Sequence, residues 1–173
     1  MEQFDLYNKE GMKLHKSMNR GGSNQPGEYH LVVHIWIRNS QGQYLIQQRN
    51  KPDDEVLYQW ASTGGAVLVG EDSIPAAIRE TYEEIGYQFL SEDLQLVKRY
   101  YIENPKANYI TDLYLINADI DLNTLTLDPV EVKAVQYKTM NEIKQLIQKN
   151  QFWDYARLME RSDYFDILEK SYI

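Results

Sequence analysis

A chain of 173 residues without cysteine is long enough to bury a core unaided, and it excludes disulfides, thiolate metal sites and a thiol nucleophile together. A formal charge of −8 and a sequence pI near 4.9 leave no basic stripe for duplex nucleic acid. The longest apolar run, residues 31–37, is short and broken by a histidine, and no basic-then-apolar leader opens the chain. No membrane span and a cytoplasmic location are therefore expected.

Residues 3–7 set Phe4 and Leu6 against polar neighbours, and a Lys9-Glu10-Gly11 turn leads into residues 12–15, which predicts an amino-terminal hairpin. Residues 19–27 form a loop by composition. Residues 29–38, rich in β-branched and aromatic side chains, predict a strand that Asn39-Ser40-Gln41-Gly42 turns into a second, 43–48. Arg49 ends it. A polar loop at 51–55 follows, then Trp60 and Thr63 lead to the pair Gly64-Gly65, and residues 66–69 make a short strand.

From residue 73 the pattern becomes helical. Ser73 is placed to cap the amino end, Pro75 is tolerated in the first turn, and Gly86 supplies the left-handed residue that closes a helix. At about 100° per residue, Glu80, Glu83 and Glu84 fall within an arc of about 100°, while Ile74, Ile78, Thr81 and Ile85 gather within about 60° on the far side. This predicts one face that buries and another that carries charge. Like charges at this spacing repel. A hard divalent cation would compensate them, and a solvated acidic face is the alternative.

Residues 94–103 and 109–119 predict two strands around an Asn104-Pro105 turn, and 130–137 another. Thr139 with Glu142 forms a capping box for a helix from Met140 to about residue 149. Residues 152–173 are expected to be helical, because Tyr155, Leu158, Met159, Tyr164, Phe165 and Leu168 recur at roughly helical intervals. That aromatic helix offers a face for a homodimer. The organisation expected is one domain over 1–173: an amino-terminal hairpin and loop at 1–27, a core at 28–150 and a helical extension at 151–173. Strands with helices inserted between and after them suggest a mixed sheet sandwiched by helices.

Gly65, five residues, Glu71, seven residues, then Arg79-Glu80-Thr81-Tyr82-Glu83-Glu84-Ile85-Gly86-Tyr87 resembles the signature of the Nudix hydrolase family at every charged and glycine position. Thr81 and Tyr87 stand where aliphatic residues are usual. The resemblance implies an α/β fold, the α/β/α sandwich with a mixed β-sheet. It also implies a magnesium- or manganese-dependent hydrolase that cleaves a phosphoanhydride, or pyrophosphate, bond in a phosphorylated small molecule, typically a nucleoside diphosphate derivative. Carried over by position, Glu80, Glu83 and Glu84 become side-chain metal ligands and the carbonyl of Gly64 or Gly65 a backbone one. Glu71 and Arg79 become a pair that orients loop and helix. Glu83 or a glutamate on a neighbouring loop takes the proton from water, and Glu131 is the candidate for that loop position, an exposed strand-end carboxylate being the other reading. Arg49 is a candidate phosphate contact or a solvated strand end. Bound cations would also reconcile the acidic chain with an anionic substrate.

The segment from Tyr29-His30 to Gln47-Gln48-Arg49, with Trp60 and Thr63, resembles the branch of this superfamily that contains isopentenyl-diphosphate isomerase. That enzyme uses a cysteine after the tryptophan, where this chain has Thr63-Gly64-Gly65-Ala66-Val67, so isomerase activity is a disfavoured alternative. A non-catalytic Nudix-fold binding module is another; such members usually lose a motif glutamate, and Glu71, Glu80, Glu83 and Glu84 are all present. Trp36, Tyr100 and Tyr101 suit packing better than base stacking, and His30 and His34 are expected to be structural.

Overall fold

The computed structural model describes residues 1–51 and 57–171; residues 52–55 of the expected polar loop and the last two residues of the expected carboxyl-terminal helix lie outside the described residues. The hairpin is present as β1 (Gln3–Tyr7) and β2 (Lys13–Asn19). The second strand runs further than expected, because Gln3 and Phe4 pair with Asn19 and Met18.

The main sheet contains β3 (His30–Arg38), β4 (Tyr44–Arg49), β5 (Trp60–Ala61), β6 (Thr63–Ala66), β7 (Gln95–Ile102), β8 (Tyr109–Asn117) and β9 (Val132–Lys138). Its path is β5-β4-β3-β8-β7, with β6 also on β3 and β9 also on β4. The β3–β8 pair is parallel and the others are antiparallel, so the sheet is mixed.

Alternation along β3 builds two cores. Leu31, Val33, Ile35 and Ile37 pack with Ala76, Ala77 and Ile85 of α1 (Ser73–Ile85). Trp36 points the other way, into a cluster with Met140 and Ile143 of α2 (Met140–Gln148) and with Tyr155, Tyr164 and Phe165 of α3 (Tyr155–Leu158) and α4 (Tyr164–Lys170). A strand covered on both faces reads as a nearly continuous apolar run. The expected sandwich is therefore the observed fold. No helix among the described residues is long and apolar enough to cross a membrane.

Three expectations change. The strand placed at 66–69 lies at Thr63–Ala66, where the glycine pair joins the ladder: Val32 to Ile35 of β3 pair with Ala66 to Thr63. Beyond Val67 the chain leaves β3 because the hairpin captures it, Val69 N–H donating to the Gln3 carbonyl at 2.9 Å. The carboxyl-terminal segment is two short helices. Glu160 adopts a left-handed φ of 52°, and Arg161 and Asp163 then tie to the Tyr101 carbonyl at 2.6 Å and to Lys98 at 2.5 Å. Its aromatic residues are buried against this chain's own sheet, so the face offered for a homodimer is already covered.

The third change is at the start of α1, where Asp72 is the N-cap residue and makes no side-chain capping bond. Ser73 turns instead to the sheet, donating to Asp112 at 2.5 Å and accepting from the Tyr114 hydroxyl at 2.8 Å. Gly86 closes the helix at φ 69°, as expected. The capping box of α2 is also present, with Thr139 and Glu142 bonding reciprocally.

Candidate active site

Helix α1 buries most of the expected face, with Thr81 and Ile85 inside and Ile78 packed against the core, but the buried side is wider than its isoleucines suggest. Ala76, Ala77, Thr81, Glu84 and Ile85 are buried, whereas Ile74 is exposed. The buried strip thus extends toward the acids, because the two alanines let the helix lie close to the sheet. Glu84 is only 4% exposed. The Gly64 N–H donates to its Oε2 at 3.1 Å. Burial pushes the Glu84 carboxyl up to about 8 and the Glu80 charge adds to that, against hydrogen bonds from Gln47 and Gly64 and the charge of Arg49.

Glu80 packs against the glycine pair, where a Cβ on Gly65 would collide with its carboxylate. Burial raises its pKa too, opposed by Arg79 and reinforced by Glu83 and Glu131. Glu83 is 56% exposed.

Arg79 braces the group. Its Nε and Nη2 donate to the two oxygens of Glu71 at 2.9 and 2.8 Å, and Nη2 also reaches the Ala66 carbonyl at 3.0 Å. Its Nη1 donates to Glu80 at 2.8 Å and to Glu83 at 3.0 Å. Burial alone would raise Glu71; the bonds from Arg79 and from the Leu68 N–H outweigh it and hold the carboxyl below its ordinary value. This fork-to-carboxylate geometry is one that lysine cannot reproduce.

Arg79, Glu80, Glu83 and Glu84 border one cleft of about 230 Å3, together with Gly64, Gly65, Arg49 and Glu131, whereas Glu71 stands behind it. Glu131 accepts from Lys51 at 2.7 Å, and the Arg49 guanidinium lies 4.8 Å from the ring centre of Trp153. Among the described residues no three acidic or histidine side chains already form a metal cage. Arg79 Nη1 lies between Glu80 and Glu83 instead. A larger open depression of about 430 Å3 at the β3–β4 turn is lined by Arg38, Asn39 and Asp119 among others, and contains none of the candidate catalytic, metal-binding or substrate-binding residues.

Several lining residues escaped the sequence reading. Glu2 and Arg20 reach the cleft from the hairpin, for which no local pattern specifies a packing partner. Asp128 also lines it, its backbone N–H donating to the Glu84 carbonyl at 3.0 Å; the Asp128-Pro129 turn was the available signal. Gln47, buried beside Glu84, accepts from Thr63 at 3.2 Å.

Trp36, His34 and His30 are held by packing and hydrogen bonds within the fold. Trp36 is fully buried and its Nε1 donates to the Tyr164 hydroxyl at 3.0 Å, which also bonds His34 Nδ1 at 2.9 Å. Burial and the nearby Arg49 push His34 down to about 3. His30 is stacked on Phe4 and bonded to the Asn108 carbonyl at 3.0 Å.

A family model described as the NUDIX domain matches residues 28–161. An uncharacterized Nudix hydrolase of Listeria innocua is 36% identical over 156 residues, which cover 90% of each chain. The isopentenyl-diphosphate Delta-isomerase of Pectobacterium atrosepticum is 28% identical over 121 residues, 69% of this chain and 66% of that enzyme. Among solved structures, protein DR0079 of Deinococcus radiodurans superposes with a TM-score of 0.69 at 22% identity, covering 92% of this chain and 98% of its own, a likeness of fold.

Proposed function

The chain belongs to the Nudix hydrolase family, and from that premise we propose that it is a divalent-metal-dependent enzyme that hydrolyses a phosphoanhydride bond in a phosphorylated small molecule. The observation that carries this is the gathering of Glu80, Glu83 and Glu84 at Gly64-Gly65 in one cleft. The donor set fits magnesium or manganese. Glu80 and Glu84 are oxygen donors that burial raises, and they lack compensating charge apart from Arg79 and Arg49; hard cations prefer such oxygens.

Glu80, Glu83 and Glu84, with a carbonyl of Gly64 or Gly65, would hold the ion. Bound there, it would supply the charge that polarises phosphoryl oxygens and lowers the pKa of water. Arg79, locked by Glu71, sets where Glu80 and Glu83 point. Arg49 and Lys51 offer cationic contacts to the phosphates. Hydrolysis joins the oxygen of water to one phosphorus as the bridging oxygen leaves with the other phosphate, and the proton that water loses goes to Glu83 or Glu131. Isomerase chemistry is disfavoured because the chain holds no cysteine to move a proton at carbon.

The test is turnover of a panel of nucleoside diphosphates, triphosphates and capped pyrophosphates with magnesium, followed by 31P NMR, for the wild type and Glu84→Gln. The variant is expected to lose about 100-fold or more, as for removal of a charged group that acts on the transition state. Near-normal turnover by the folded variant would overturn the assignment, and no turnover by the wild type would favour a binding module.

A further inference from the structure

The cleft differs from an ordinary small-molecule pocket in size and in lining. Its volume of about 230 Å3 lies below the roughly 300–1,000 Å3 of typical ligand pockets, which are mostly apolar and aromatic. Among the described residues no aromatic or large aliphatic side chain lines it. Trp153 sits against Arg49 but is not part of the lining. Among the described lining residues a nucleobase would find no ring to stack on and no apolar slot. What the cleft presents is charge: besides Arg79, the cations Arg20, Arg49 and Lys51 border it.

Arg20 stands apart from the others. It comes from the end of the hairpin, outside the matched residues 28–161. Its guanidinium donates to Glu2 at 2.5 Å and lies 5.5 Å from the ring centre of Phe4. Both members of the ion pair are about half exposed, at 52% and 50%, so the pair is weak and readily exchanged.

We propose that the substrates are diphosphate or triphosphate monoesters, whose phosphate chain ends in a free terminal phosphate. The organic group stays outside the cleft, and Arg20 is the specificity-determining residue that receives the terminal phosphate in place of Glu2. This rests on the hydrolase reading and narrows it. A terminal phosphate carries about −1.5 to −2 charge and three acceptor oxygens, whereas an internal one carries a single charge. A planar guanidinium meets it bidentately. Nothing among the described lining side chains favours one base over another.

The experiment compares kcat and KM for four nucleoside diphosphates with those for ADP-ribose and UDP-glucose, whose pyrophosphates are capped at both ends. The wild type should vary by no more than about tenfold among bases and fall by about 100-fold on capped substrates, the scale on which a site built for a polar group rejects a ligand lacking it. Arg20→Ala should raise KM for diphosphates about tenfold, the equivalent of about 1.4 kcal/mol, and lower the ratio of diphosphate to capped-substrate kcat/KM by a similar factor. Arg20→Lys should recover part of the loss, and Glu2→Gln should lower KM. Titration calorimetry with α,β-methylene adenosine diphosphate should show the same order in Kd without turnover. Preference for capped pyrophosphates, strong selection of one base, or indifference of both KM and Kd to Arg20→Ala would overturn the proposal. Turnover of none of these molecules by the folded wild type would overturn the hydrolase reading and this proposal with it, whereas turnover with KM and Kd indifferent to Arg20→Ala would overturn this proposal alone.

Discussion

At neutral pH, burial leaves Glu84 holding its proton in the metal-free protein, since its carboxyl is pushed up to about 8. The folded state then binds more protons than the unfolded one between the ordinary value of 4.5 and about 8, so stability falls as pH rises through that window. The limiting slope for one group is about 1.4 kcal/mol per pH unit. Glu84→Gln cannot lose a proton; it should flatten the slope and melt higher than wild type at pH 8 without metal, while losing activity. Thermal melts of both proteins at pH 5 and pH 8 check this, and parallel slopes would refute it. Gly65→Ala acts on the neighbouring acid. The new Cβ would displace the Glu80 carboxylate, and turnover should fall about 100-fold, as for a misplacement of about 1 Å. A crystal structure of the variant with Glu80 unmoved, or normal turnover, would count against it. The spacing of these residues was legible in the sequence because the motif is local. The inward turn of Glu84 was not, since the two alanines beside Thr81 and Ile85 widen the buried strip toward it.

Between residue and molecule, the segment joining β6 to α1 is held from outside by the hairpin. Lys13 donates to the Glu71 carbonyl at 3.2 Å and pairs with Asp5 at 3.2 Å and Asp72 at 3.3 Å. Asp5 in turn accepts from the Gly70 N–H at 3.0 Å. Glu71 fixes Arg79, and Arg79 fixes Glu80 and Glu83, so slack in this segment is passed to the acids. Lys13→Met keeps the length of the side chain and removes its charge. It should speed amide exchange over residues 68–72 and lower kcat about tenfold with little change in melting temperature, because an exposed ion pair contributes little to stability. Unchanged exchange there would show that the hairpin does not hold the segment. The hairpin itself could be expected from alternation and a glycine turn, and the capping box of α2 from two residues three apart. The attachment of the hairpin to residues 67–72 depends on contacts across more than fifty positions, on which local pattern is silent.

Across the molecule, the carboxyl-terminal residues close the second core over Trp36. Tyr164 ties them to β3 through one hydroxyl shared by Trp36 and His34. Tyr164→Phe strands both nitrogens in a buried site and should cost about 1–3 kcal/mol, read as a lower urea midpoint with unchanged KM. A variant as stable as wild type would show that these bonds contribute nothing net. The aromatic spacing at 152–168 marked this segment as packed, but the break at Glu160 follows from where β7 offers Tyr101 and Lys98, a tertiary demand that helical periodicity does not carry.

Arg20 and Glu2 border the cleft from a segment that precedes the matched region, while the braced acids lie within it. Choice of molecule and cutting of the bond would then be encoded in separate stretches of gene. Recombining only the first twenty or so codons among relatives should yield enzymes with altered diets and an untouched cutting apparatus, whose substrate profiles can be scored colony by colony.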